Sequence, residues 1–87
     1  MTWTIEFTKK AQKQLISLDN KAQKRIKKAI LEKLVKTPQK HLTALHGDKA
    51  GFYKFRVGDY RLLCSKEDTT YYILIVKVKY RKEVYTR

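Results

Sequence analysis

The chain has 87 residues, 43% of them hydrophobic, which suffices for one modest core and so for one domain, 1–87. Its 21 Lys and Arg face only eight Asp and Glu, leaving a formal charge of +13. Such an excess repels itself in a compact fold and is expected where a polyanion is bound. A surface kept basic only for solubility would carry nearly as many Glu.

Cys64 is the single cysteine, so an intrachain disulfide is excluded and a reducing compartment is expected. The N-terminus lacks a basic stretch followed by an apolar one, and the longest apolar run, Tyr71 to Val76, is far too short to span a bilayer. A soluble, cytoplasmic protein with no membrane partner is therefore expected.

In chain order, Trp3, Ile5 and Phe7 alternate with Thr4 and Glu6 and read as a first strand. Thr8 can cap a short helix carrying Ala11, Leu15 and Leu18, and Asp19 or Asn20 a longer one. Along the second, Ala22, Ile26, Ala29, Ile30 and Leu34 recur at three and four, with lysines between them, until Pro38 ends it. Gln39 to Gly51 reads as a loop, with Leu42 and Leu45 tucked inward.

From Phe52 the period becomes two. Phe52 to Val57 and Tyr60 to Ser65 flank Gly58 and Asp59, a two-residue link suited to a tight hairpin. Glu67 to Thr69 turns the chain into a last strand, about Thr70 to Lys79. The order is β-α-α-β-β-β, an α+β domain in which two N-terminal helices pack on one face of a four-stranded antiparallel sheet.

The hairpin dictates a register in which Val57 faces Tyr60 and Arg56 faces Arg61. Tyr53, Phe55 and Val57 then share the helix side, and Lys54, Arg56 and Arg61 share the other. Like charges directly opposite on a sheet cost roughly 0.2–1 kcal/mol, so three cations on one face imply an anion. The plainer alternative is that the two arginines splay into solvent or pair with Asp59 and Glu83. Farther on, Lys77, Lys79 and Arg81 share a parity, followed by Lys82, Glu83, Val84 and Tyr85.

His41, His46 and the lone cysteine have no zinc-like spacing, the eight carboxylates are scattered, and no Gly-rich phosphate loop is present. No metal and no cofactor are expected.

The stretch Gly51-Phe-Tyr-Lys-Phe-Arg-Val-Gly-Asp-Tyr-Arg-Leu-Leu-Cys64 resembles the central hairpin of the RelE/ParE superfamily of bacterial and archaeal toxins. The tail Lys79-Tyr-Arg-Lys-Glu-Val-Tyr85 resembles the closing motif of its RNA-cutting RelE branch. Toxins of that branch enter the ribosomal A site and cleave mRNA there without a metal. The RNA 2′-hydroxyl attacks the neighbouring phosphate and leaves a 2′,3′-cyclic phosphate.

The resemblance implies an endoribonuclease whose catalytic residues are Lys54, Arg56, Arg61, Arg81 and Tyr85, with Lys77, Lys79 and Lys82 binding RNA. The implied partners are the ribosome with its mRNA and a cognate acidic antitoxin. Where many relatives carry Gly-His before the tail arginine, this chain has Lys79 and Tyr80. Two other readings keep the charge: a ParE-like inhibitor of DNA gyrase, and a non-catalytic RNA-binding module.

Overall fold

The structure, a computed structural model of the protein, describes residues 2–80. Strand β1 (Thr4–Phe7) leads into helix α1 (Lys9–Ile16), whose first turn is closed by Thr8: its hydroxyl accepts from the Ala11 N–H at 3.1 Å. Helix α2 (Asn20–Ala29) is capped the same way by Asp19, which accepts from the Ala22 N–H at 2.8 Å, so Asp19 and not Asn20 is the cap.

Both helices turn their apolar stripe to the sheet. Ala11 and Leu15 of α1 and Ala22 and Ile26 of α2 are buried, while the lysines of α2 stay exposed. The stripe continues to Leu34 through one wide π turn, Ile30–Leu34, in which the Val35 N–H reaches back to the Ile30 carbonyl at 3.0 Å. The Val35 carbonyl then accepts from the Trp3 N–H at 2.9 Å, which ties the start of the sheet to the end of the helices. Pro38 begins a short 3₁₀ turn, Pro38–Lys40, beyond them.

The remaining strands are β2 (Thr43–Ala44), β3 (Tyr53–Val57), β4 (Tyr60–Glu67) and β5 (Tyr72–Tyr80). The sheet has five strands in the order β1-β5-β4-β3-β2. It differs from the expected four-stranded antiparallel sheet in two ways. First, β1 runs parallel to β5, with Ile5 beside Ile73 and Phe7 beside Ile75. The two helices between β1 and the hairpin form the crossover that a parallel pairing needs. Second, the segment expected as a loop supplies an edge strand, β2, with Thr43 opposite Lys54 and Ala44 opposite Tyr53.

The hairpin register is the expected one: Val57 faces Tyr60 and Arg56 faces Arg61 across Gly58 and Asp59. Gly58 has φ +57°, a left-handed conformation that favours glycine; the tip of the exposed Arg25 side chain of α2, 2.7 Å from where a Cβ would lie, is free to swing aside. The sheet's helix-facing side carries Phe55, Val57, Leu62, Cys64, Ile73, Ile75 and Val78, buried with Leu15, Ile26 and Leu34.

Between β4 and β5 the ladder slips. Leu63 pairs with Lys77 but Cys64 pairs with Ile75, leaving Val76 as an extra residue. Strict alternation from Ile73 and Ile75 would send Lys77 and Lys79 into the core. The bulge reverses the parity, so Val78 is buried and the two lysines emerge on the opposite, open face. Helix α1 covers the strand edge at this point. The Thr8 N–H donates to the Ile75 carbonyl at 3.0 Å, the Thr8 hydroxyl to the Val76 carbonyl at 3.4 Å, and the Val78 N–H to the Gln14 side-chain oxygen at 2.7 Å.

Candidate nucleic-acid interface

The open face is organised in rungs, because directly paired residues on antiparallel strands point the same way. One rung is Arg56, Arg61 and Lys79; the next is Lys54, Leu63 and Lys77. Five cations therefore meet across three strands. Lys54, Arg61, Lys77 and Lys79 line one open cavity of about 290 Å³, together with Leu45, Lys49, Leu62 and Leu63. Arg56 shares the face and the rung but does not line that cavity, and its side chain is exposed.

The electrostatics favour an anion on this face. Lys77 has its ammonium pKa held below the ordinary lysine value, chiefly by Lys10 of α1 and then by Lys79 and Lys49. The Nε of Arg61 is buried with no acceptor among the described residues. A buried donor of this kind is one that an anion's oxygen can satisfy. The one ion pair among the described residues, Lys66 to Asp68 at 3.2 Å, lies away from these rungs, toward the other end of β4.

The structure thus brings together Lys54, Arg56, Arg61, Lys77 and Lys79 of the residues singled out from sequence. Arg81, Lys82, Tyr85 and Glu83, the other carboxylate considered for the arginines, lie outside the described residues. Asp59 does not pair with either arginine. Sequence reasoning turns Leu45 inward from a loop without assigning it to the site, and it misses Lys49 of the same segment and Lys10, which comes near Lys77 because α1 covers the edge of β5.

Tyr60, paired with Val57 at the end of the hairpin, belongs to the core side. Its ring lies 5.1 Å from that of Tyr80, and burial, followed by Asp19, pushes its pKa above the ordinary tyrosine value. It is no source of phenolate. Among the described residues no three His, Cys, Asp or Glu side chains gather where they could share a metal ion. Nor is any helix among them long and apolar enough to cross a membrane.

A sheet with helices on one face and a cationic groove on the other defines a small α+β protein built to hold an anion. The profile of the ParE toxin of type II toxin–antitoxin systems matches residues 5–85. The chain therefore belongs to that family, within the RelE/ParE superfamily, and is the toxin component of such a system.

Solved structures agree. The toxin–antitoxin complex RelBE2 of Mycobacterium tuberculosis is 26% identical, covers 93% of each chain and superposes with a TM-score of 0.87. The archaeal RelE–RelB complex of Pyrococcus horikoshii is 30% identical over 93% of this chain and 97% of its own, with a TM-score of 0.75. The Escherichia coli RelBE complex, 20% identical over 90% and 95%, shares the fold at a TM-score of 0.70. No curated protein matches by sequence. The solved relatives are complexes with antitoxins, and an antitoxin is the partner of a toxin of this type.

Proposed function

We propose that the protein is a RelE-type endoribonuclease that cleaves mRNA in the ribosomal A site and so arrests translation. The observation that carries this reading is the pair of cationic rungs around an open groove of about 290 Å³ lined by Arg61, whose Nε has no acceptor among the described residues.

Attack of a 2′-hydroxyl on the adjacent phosphorus gathers negative charge on the non-bridging oxygens. Guanidinium and ammonium groups fixed on a sheet stabilise that charge without reorganising as it develops. Arg56 and Arg61 face each other across the hairpin, so one phosphate can be held from both strands. Arg81 follows Tyr80 directly at the end of β5 and is assigned to the same phosphate; Tyr85 is assigned to proton abstraction. A free tyrosine, with a pKa near 10, is a poor base at neutral pH, and surrounding cations favour its phenolate.

Arg61→Ala and Arg81→Ala are each expected to lower ribosome-dependent cleavage a few hundredfold, because one fixed donor to a developing oxyanion contributes roughly 3–4 kcal/mol. The assay is primer extension on mRNA in translating ribosomes, with circular dichroism as the fold control. Wild-type rates in both variants would remove these residues from the site. A 2′-deoxy nucleotide at the cut position is expected to abolish cleavage.

A second reading is supported by the ParE description of the matching family: inhibition of DNA gyrase by the same basic surface. It predicts gyrase-linked DNA breaks with intact mRNA, whereas the ribonuclease predicts cut mRNA with intact DNA.

A further inference from the structure

The cavity on the open face has more in it than a phosphate site needs. Its rim is cationic, from Lys49, Lys54, Arg61, Lys77 and Lys79, but it is also lined by Leu45 and Leu63, both half-buried. Leucines amid lysines leave apolar surface in water unless a flat, uncharged group covers them. Phosphate alone cannot do that. A nucleobase with its backbone can, since it pairs an apolar face with an anion at its edge.

The two rungs lie two residues apart along the strands, about 6.6 Å, a spacing that neighbouring phosphates of an extended single strand can match. The third wall is held in place by backbone bonds. Beyond the Thr43 and Lys54 pair, the Leu45 N–H donates to the Phe52 carbonyl at 3.0 Å, and the Phe52 N–H to the Lys49 carbonyl at 3.0 Å. A 3₁₀ turn, Gly47–Lys49, closes between them. Lys49 is thus presented by an ordered turn.

We propose that this cavity is a seat for one whole nucleotide of a single RNA strand, adjoining the phosphate to be cleaved, with the base over Leu45 and Leu63 and the next phosphate on Lys49, Lys54 and Lys77. The inference rests on the ribonuclease reading and deepens it, giving the edge strand and its loop a part in choosing the substrate. The lowered pKa of Lys77 among Lys10, Lys79 and Lys49 agrees with an anion at that end.

The test measures binding of the full chain to short single-stranded RNAs whose cut site is blocked by a 2′-deoxy nucleotide. An abasic residue is placed in turn on either side of the block. Wild type is expected to lose about five- to tenfold in affinity at one of the two positions, the lower end of what stacking on a side chain contributes. The Leu45→Ser/Leu63→Ser variant is expected to lose that distinction. Lys49→Ala, an exposed change, should weaken both RNAs equally and reduce the slope of log affinity against log salt by about one.

Equal affinity of wild type for intact and both abasic RNAs overturns the seat, as does retention of the distinction in the leucine variant. Tighter binding of a Glu-Leu-Glu peptide than of the intact RNA also overturns it and gives the groove to an acidic protein partner. Cleavage of mRNA by wild type without any base effect would sink the seat and leave the ribonuclease reading standing. Absence of cleavage would sink that reading.

Discussion

Two groups in this fold have proton affinities set by opposite environments. Cys64 is fully buried beneath β4, and burial pushes its thiol up to about 12. The unfolded thiol ionises first. Its contribution to stability is therefore complete below the ordinary cysteine value and is lost as pH rises above it toward about 12. At pH 8 the folded protein is expected to resist iodoacetamide while the denatured chain reacts readily, as mass spectrometry would register. Equal labelling would mean that Cys64 is not in the core. Lys77 is the converse case, a half-buried lysine whose ammonium is crowded by Lys10, Lys79 and Lys49. The crowding disfavours its charged form, so an anion that settles among these lysines must raise its pKa again. A lysine side-chain NMR titration with and without inorganic phosphate should show Lys77 moving toward the ordinary value on addition. Anion affinity should fall as pH climbs through the lowered pKa. If phosphate leaves Lys77 unmoved, the anion site does not include it.

At the scale of elements, the bulge at Val76 does the most. It lets one strand serve the core through Ile73, Ile75 and Val78 and the open face through Lys77 and Lys79. The extra residue is tolerated because α1 takes up the β5 edge beside it, through Thr8 and Gln14. Removing Val76 takes out the extra residue itself, so Ile73, Ile75 and Val78 then alternate strictly on the core side while Lys77 and Lys79 stay on the open face. What the deletion loses is a link to α1, the hydrogen bond from the Thr8 hydroxyl to the Val76 carbonyl, worth about 1 kcal/mol. The variant is thus expected to fold and to melt cooperatively at a modestly lower temperature, which circular dichroism of the purified chain would show. Loss of cooperative melting would mean that the bend of the bulge, and not only its parity, is needed to build the sheet.

Across the whole molecule, charge acts on the fold and on binding with opposite signs. With +13 on 87 residues and a single ion pair among the described ones, the folded state repels itself. Raising sodium chloride from low to moderate concentration screens that repulsion. A gain of about 1 kcal/mol would raise the melting temperature by roughly 4–8 °C for a domain of this size. RNA affinity should fall over the same range, because released counterions are what drives phosphate binding. Melting that is insensitive to chloride would mean that the positive surface is spread too widely to repel.

What the sequence determined alone was local: the cap at Thr8, a second cap at Asp19 or Asn20, the apolar stripe of the helices, and the turn at Gly58 and Asp59 that sets Arg56 against Arg61. Each follows from a few neighbouring residues, whose hydrogen bonds and φ angles are complete within one turn of chain. Residue types and the closing motif were also enough to mark Lys54, Arg56, Arg61, Lys77 and Lys79. Tertiary structure decided the rest. The parallel pairing of β1 with β5 joins segments more than sixty residues apart. The edge strand β2 exists because β3 offers it an open ladder, although its own two residues, Thr43 and Ala44, carry no strand pattern of their own. The face that Lys77 and Lys79 occupy depends on one extra residue opposite the gap between Leu63 and Cys64. Period-two alternation specifies which residues share a face only while the ladder is unbroken, and the neighbouring strand and helix decide where it breaks.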